Sequence, residues 1–456
     1  MRQSELVLAV YLPTALLALG QGLLLATLPL FAADLGVGYM VISLITSAAA
    51  LGTLVTDVPA GVVLHRLGLR FSMLLGCVLV VVGTMALAFP LSAEGIVGLR
   101  LLAGVGTALW GLSRHAFIAQ SISIERRGRA IAVFGGINRV GLFGGPAIGG
   151  IIATAFGMHA AFFVAGFMGL LAGIAAALFI PRDRKDDLPR KGSSRARWAI
   201  VRQTIRRNAG DLSAAGIAQL FAQMIRQGRQ LLIPLIGAKQ LGLNPAEVGT
   251  VMTVSAIIDM SMFFPAGFLM DRFGRKFASV PSFAIMAVGI GAVPFAHSIE
   301  TLMLAGVVIG LGNGLGSGSM MTLGADLAPE GATGEFLGIW RLIGDAGMVV
   351  GPMLVGVIAG ALSLNGSAIA LMIAGFLASL TLAFLVKETR IHPGAAVAEQ
   401  IVPRATRQST EEERVHAVGG RGDPAAWVPA HPEAQRRRRW RDDDPPGDGG
   451  GRAPFS

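Results

Sequence analysis

A chain of 456 residues that is 53% hydrophobic and only 14% charged, with a mean hydropathy of +0.63, is too apolar for a water-soluble domain, whose charged fraction is nearer about 25%. Its net charge of +10 would suit a nucleic-acid partner, but the basic residues are gathered in connections between apolar runs, which is a membrane pattern and argues against that partner. One cysteine, Cys77, excludes an intramolecular disulfide, and no Cys/His cluster has metal-ligand spacing, so neither a metal nor a cofactor is expected.

Twelve apolar stretches run along the chain, at 6–33, 39–64, 71–91, 94–118, 129–156, 159–181, 212–237, 247–268, 277–297, 300–323, 333–361 and 365–387. Each is long enough to cross a hydrocarbon core of about 30 Å as a helix, so the expected fold class is all-α integral membrane with twelve transmembrane helices. The first continues past Pro29 with no small-residue cleavage site and reads as a retained helix rather than a signal peptide. The 62 glycines suit close helix packing in lipid.

The connections alternate in charge. Those at 34–38, 92–95, 157–158, 298–299 and 362–364 hold no Lys or Arg, and the one at 238–246 holds only Lys239. The others carry Arg66 and Arg70, then Arg126, Arg127 and Arg129, then ten basic residues from Arg182 to Arg207, then Arg272, Arg275 and Lys276. By the positive-inside rule both termini and the long middle connection are cytoplasmic, in a cell membrane.

The polar stretch at 182–211 divides the spans six and six, giving a first half at 1–181 and a second at 212–388. The halves repeat: Gly61 and Gly267, Gly145 and Gly351, Gly104 and Gly310, and Gln21 and Gln227 are each 206 residues apart. An even number of spans separates the copies, so the repeat is parallel, with a substrate site expected near mid-membrane where the halves meet. Two halves complete such a site, so a monomer is expected. Beyond residue 389 the chain is rich in Pro, Gly and charge, the composition of a disordered tail.

Between its second and third spans each half carries a related loop, GVVLHRLGLR at 61–70 and GFLMDRFGRK at 267–276. A glycine- and proline-rich run, GLFGGPAIGG, occupies 141–150 in the fifth span, and RLLAGVG at 100–106 opens on Arg100 in the fourth. Together these resemble the major facilitator superfamily over residues 6–387, and the fifth-span run resembles a motif frequent in its drug/proton antiporters. The resemblance implies two pseudo-symmetric six-helix halves that move about a central site. Gly267, Asp271, Arg272, Gly274, Arg275 and Lys276 match the family's loop motif; in the first copy Gly61, Arg66, Gly68 and Arg70 match, while His65 replaces the acid and Leu69 a base.

The loop glycines are expected to let helix ends approach and turn, and Asp271 to brace the second half against the start of the fifth span near Gly128. Asp57, one turn before Gly61 and set to face Arg341, is the candidate for the missing acid of the first copy. Gly141, Gly145, Gly149 and Gly150 are expected to pack closely where the halves meet, with Pro146 softening the helix; ordinary tight packing explains them as well.

Charges inside a membrane cost about 2.5–3.5 kcal/mol each at mid-depth, so a chain keeps them for a partner or an aqueous cavity. Arg100, Arg139, Arg226, Arg229, Asp259, Arg341 and Asp345 fall inside spans. In the seventh, Gln219, Gln223, Arg226 and Gln230 recur at spacings of 4, 3 and 4, one stripe expected to line the cavity. Arg341 and Asp345, four apart, could neutralise each other. Arg139 is expected to pair with Asp259, a contact that protonation would break. Arg226 and Arg229 could equally pair with Asp259 for purely structural reasons.

The function expected from these residues and the resemblance is secondary transport of a small-molecule substrate across the lipid bilayer, coupled to protons and directed outward. Arginines outnumber carboxylates in the spans, which motivates a second reading, carriage of an organic anion whose carboxylate or phosphate is held by Arg226, Arg229 or Arg139. No catalytic constellation stands out, so an enzyme is not expected. A non-transporting membrane sensor is the remaining alternative.

Overall fold

The computed structural model describes residues 7–89, 91–121, 124–180, 194–207 and 209–389; the side chains of 119–132, 194–197, Val58, His65 and Arg207 lie outside the description. The predicted tail, most of the middle connection, the His65 side chain and the Gly128 neighbourhood therefore fall outside it. The described residues form helices and turns, with no strand among them.

The first six spans are α1 (Leu12–Asp34), α2 (Tyr39–Leu67), α3 (Leu69–Met85), α4 (Ala93–Ser121), α5 (Ile124–Phe156) and α6 (Met158–Phe179). A helix α7 (Ser194–Arg207) lies in the connection that sequence reading left as a polar linker. It docks through Val201, which is buried with Ala332 and Phe336. There follow α8 (Ala209–Lys239), α9 (Pro245–Ser261), α10 (Phe263–Phe273), α11 (Arg275–Ala292), α12 (Ile299–Leu315), α13 (Ser319–Asp326), α14 (Thr333–Ala361) and α15 (Leu364–Leu380).

Among the described residues eleven segments are long and apolar enough to cross a membrane. Helix α8 is not among them, because its glutamines and arginines dilute the apolar run. Its 31 residues still reach about 46 Å. Packed on α14 and α15, it is the twelfth member of the bundle. Phe156, Leu178, Phe264 and Phe384 on the outer surface are exposed, as lipid-facing residues would be.

Two spans read as continuous are broken. The eighth divides between α9 and α10, where Pro265 has no N–H to offer the Ser261 carbonyl and its ring crowds that oxygen. The tenth divides between α12 and α13, where Gly318 takes a left-handed φ of +80° that a side chain would oppose.

The two halves repeat in their contacts. Helix α1 packs on α5 and α6, α2 on α4, and α3 on α4 and α6; likewise α8 packs on α14 and α15, α9 on α12, and α11 on α12 and α15. Arg70 donates to the Ala177 carbonyl at 2.7 Å, and Lys276 donates to that of Ala383, each residue 206 positions on, also at 2.7 Å. Gly104 lies on the backbone of Ala49 and Gly310 on that of Ser255; Gly145 lies on Gly22 and Gly351 on Gly228.

Between the halves α5 meets α9 and α2 meets α14. At one end these crossings are backbone-tight, with Gly150 against the Pro245 carbonyl, Gly249 against that of Pro146, and Gly356 against Ser43. Toward the other end, which carries the Gly68 and Gly274 turns, a Cβ on Gly135 or Gly136 of α5, or on Gly334 or Gly338 of α14, would meet nothing within 4 Å. The halves are thus in backbone contact at the end away from these turns.

Candidate functional site

A cavity of about 280 Å³ lies between the halves, with α1, α2 and α4 on one side and α8 and α14 on the other. Its wall is mainly apolar. The polar groups that reach it include Gln21, Arg100, Gln227 and Gln230 together with threonines of α2, α3 and α4, and no carboxylate is among the described residues that line it. Thr46, Thr53 and Thr107 spend their hydroxyl protons on backbone, donating to the carbonyls of Ser43 at 3.0 Å, Ala49 at 3.1 Å and Ala103 at 2.9 Å. Gln21 and Gln227, the amides 206 residues apart, sit in the same cavity.

A second cluster is buried within the second half. Asn313 on α12 donates from Nδ2 to Asp259 Oδ2. Its Oδ1 accepts from Arg226 Nε at 2.9 Å, and Arg226 Nη2 donates to the Gly316 carbonyl at 3.1 Å, on the turn that breaks α12 from α13. The guanidinium lies 5.1 Å from the Phe283 ring centre. Broken backbone at membrane depth is tolerated where such a partner takes up its carbonyls. Asp259 is 1% exposed, and its Oδ1 has no partner among the described residues.

Sequence reading missed Asn313, a polar residue inside a glycine-rich apolar helix, yet it joins the acid to the base. Replacing it by leucine should leave both charges short of a partner and cost about 1–3 kcal/mol, which thermal unfolding in detergent would register. A melting temperature equal to the parent's would show that the bridge carries no stability.

The third cluster spans the halves. Arg341 on α14 lies 3.3 Å from Asp57 of α2 through Nη2, and 3.4 Å from Asp345, four residues on, through Nε. The other oxygen of Asp57 is buried without a partner.

Three expectations are revised by this geometry. Arg139 does not pair with Asp259: its guanidinium stands 4.8 Å from the Phe263 ring centre, and Asp259 forms no ion pair among the described residues. Of the α8 stripe only Gln230 reaches the cavity, where Gln227 joins it: Gln219 and Gln223 pack toward Gly344 and Gly347 of α14, and Arg226 points to the α12 break. Periodicity finds a polar face but not its neighbour. Arg229 borders a small side cavity of about 40 Å³, with Nη1 donating to Ser255 at 3.5 Å.

The third revision concerns the glycines. Gly61 and Gly267 meet nothing within 4 Å, so no close approach demands them here; Gly68 and Gly274, at φ of +86° and +111°, make the turns. Gly141, Gly145 and Gly149 pack on α1 within their own half, and of the four only Gly150 reaches the other half.

At the second turn Arg275 pairs with Asp326 at 2.8 Å, and the backbone N–H groups of Arg275 and Lys276 donate to Glu388 at 2.9 and 3.0 Å. Glu388 thus supplies the anion for the positive end of α11, a role sequence reading did not assign. Asp271 is exposed and forms no ion pair among the described residues, while Arg272 stands 5.8 Å from the Phe268 ring and Arg66 is exposed.

The sequence model of the Major Facilitator Superfamily matches residues 10–225 and 215–439. An uncharacterised MFS-type transporter of Methanocaldococcus jannaschii is 24% identical over 359 residues, covering 77% of this chain and 91% of its own. A riboflavin transporter of Clostridioides difficile is 24% identical over 69% of this chain and 79% of its own. A D-xylose–proton symporter superposes with a TM-score of 0.69 at 16% identity, over 86% of this chain and 99% of its own. With the twelve-helix bundle and its inter-half cavity, these matches place the chain in the Major Facilitator Superfamily, as a multi-pass membrane transporter of small molecules rather than an enzyme.

Proposed function

We propose that this transporter is a proton-coupled exporter of small organic molecules, a monomer in the cell membrane with both termini and α7 on the cytoplasmic side. Residues 1–181 and 212–388 are its rocking halves, 182–211 their linker and 389–456 a tail. The observation that carries the coupling is the Asp57–Arg341–Asp345 cluster, because it ties α2 of one half to α14 of the other. A proton on Asp57 cancels its attraction for Arg341 and lets the halves part, and its release restores the tie; Asp345, on the same helix as Arg341, competes with Asp57 for that cation. One pH unit of gradient supplies about 1.4 kcal/mol per proton.

The Asp259 cluster is the weaker candidate for coupling, since Arg226, Asp259 and Asn313 all belong to one half. Uptake of a mixed solute panel into everted vesicles, with and without an imposed pH gradient, tests the reading: solute accumulation that ignores the gradient would refute it. In the same assay Asp259→Asn should keep gradient-driven uptake within about threefold of the parent, a loss of less than 1 kcal/mol. Abolished coupling in that variant would move the proton site to Asp259.

A further inference from the structure

The inter-half cavity holds a base that the protein itself leaves without a partner. Of six arginines set inside the spans five have a contact, Arg341 with Asp57 and Asp345. Arg226 has Asn313 and Gly316, Arg229 has Ser255, Arg139 stands over Phe263, and Arg114 lies 3.9 Å from the Phe134 ring centre. Arg100 alone of the six forms no hydrogen bond, ion pair or ring contact among the described residues; its Nε is buried without a partner, as are those of Arg114 and Arg229. A guanidinium cannot shed its charge as a lysine can, so this cation persists in a largely apolar wall.

The groups around it are also unspent. Gln21, Gln227 and Gln230 form no hydrogen bond with the protein among the described residues, while three threonines of the same wall give their protons to backbone carbonyls. The free polar groups are therefore one cation, three amides and the Thr84 hydroxyl, with no acid among the described residues lining either this cavity or the side cavity at Arg229. Leu24, Leu28, Leu231 and Met348 offer surface for a hydrocarbon body.

We propose that the central cavity takes an organic monoanion, its acidic group held by the Arg100 guanidinium and oriented by Gln21, Gln227 and Gln230, with its apolar body on the leucines. This rests on the reading of the cavity as the transport site. A planar fork of N–H donors matches a carboxylate or sulfonate and repels an ammonium. Gln21 and Gln227 come one from each half, so the bound anion would be contacted from both sides and would sense their movement.

The test uses three probes of similar size: p-toluenesulfonate, p-toluenesulfonamide and benzyltrimethylammonium, bound to the purified protein in equilibrium dialysis. The sulfonate should bind saturably and at least about tenfold more tightly than either of the others, the range of a charge-assisted contact. Arg100→Gln should erase that preference and Arg100→Lys should keep part of it, with both variants checked for the parent's elution profile and melting temperature. Tighter binding of the ammonium, an undiminished preference in Arg100→Gln, or no saturable sulfonate binding would each overturn the proposal. Flux in proteoliposomes separates this from the transport reading. Sulfonate binding without flux of any probe would keep the anion site and end the exporter reading, whereas flux of the ammonium alone would do the reverse.

Discussion

Gly145→Ala is expected to lower the melting temperature of the detergent-purified protein sharply, while Gly144→Ala one residue away should leave it nearly unchanged. A Cβ at Gly145 would fall on the Cα and carbonyl carbon of Gly22, and backbone cannot rotate aside as a side chain can. A Cβ at Gly144 would meet nothing within 4 Å. Overpacking of this kind costs about 1–3 kcal/mol and more against rigid backbone, whereas a tolerated surface change stays within about 0.5 kcal/mol. Alanine is also the better helix former by about 1 kcal/mol, so an unstrained site should gain slightly. The contrast tests whether α1 and α5 touch only because both lack a side chain there. Equal melting of the two variants would mean that the helices can separate at no cost.

The second large effect is expected of Arg341→Gln. The substitution leaves Asp57 and Asp345 on opposite halves with no cation between them. Gradient-driven transport in proteoliposomes should fall by about tenfold or more, because removing one member of a partly buried ion pair strands the others. Substrate exchange without a gradient needs no net proton movement and should survive. If both modes fell together, the residue would be serving the fold or the cavity rather than the coupling. Asp57→Asn should resemble Arg341→Gln, since it cuts the same tie from the other side. Arg341 is 46% exposed at its side chain, so water and salt screen the pair, and the loss should shrink as ionic strength rises.

Much of the fold was legible because bilayer thickness imposes a length on every apolar run, and because the halves kept a common register. The fixed offset between Gly145 and Gly351 has a physical counterpart: each meets the same partner, Gly22 in one half and Gly228 in the other. The contact of Asp57 with Arg341 could be read from charge and matching depth alone. The partners of Arg139 and Arg226 could not, because opposite charge suggests a salt bridge wherever an acid is near. Burial instead favoured an aromatic face for one and a neutral amide relay for the other. The helix breaks were hidden for a related reason: hydropathy averages over the turn at Gly316–Gly318 and is blind to a carbonyl turned outward. Likewise the α8 stripe was visible as a periodicity, but which of its edges faces the cavity depends on how the helix is rotated against α14.

Cys77 is the sole cysteine of the chain and is 1% exposed, packed with Met73 and Val80 inside the first half. A thiol so enclosed is shielded from maleimides and nitroxide reagents, so the natural sequence already serves as a background for site-directed labelling. Paired cysteines at Gly135 and Gly338, where a new side chain meets open space, would carry two probes, one on each half. The separation between them, followed by electron spin resonance as substrate and pH are varied, would report directly how far and how often the two halves swing.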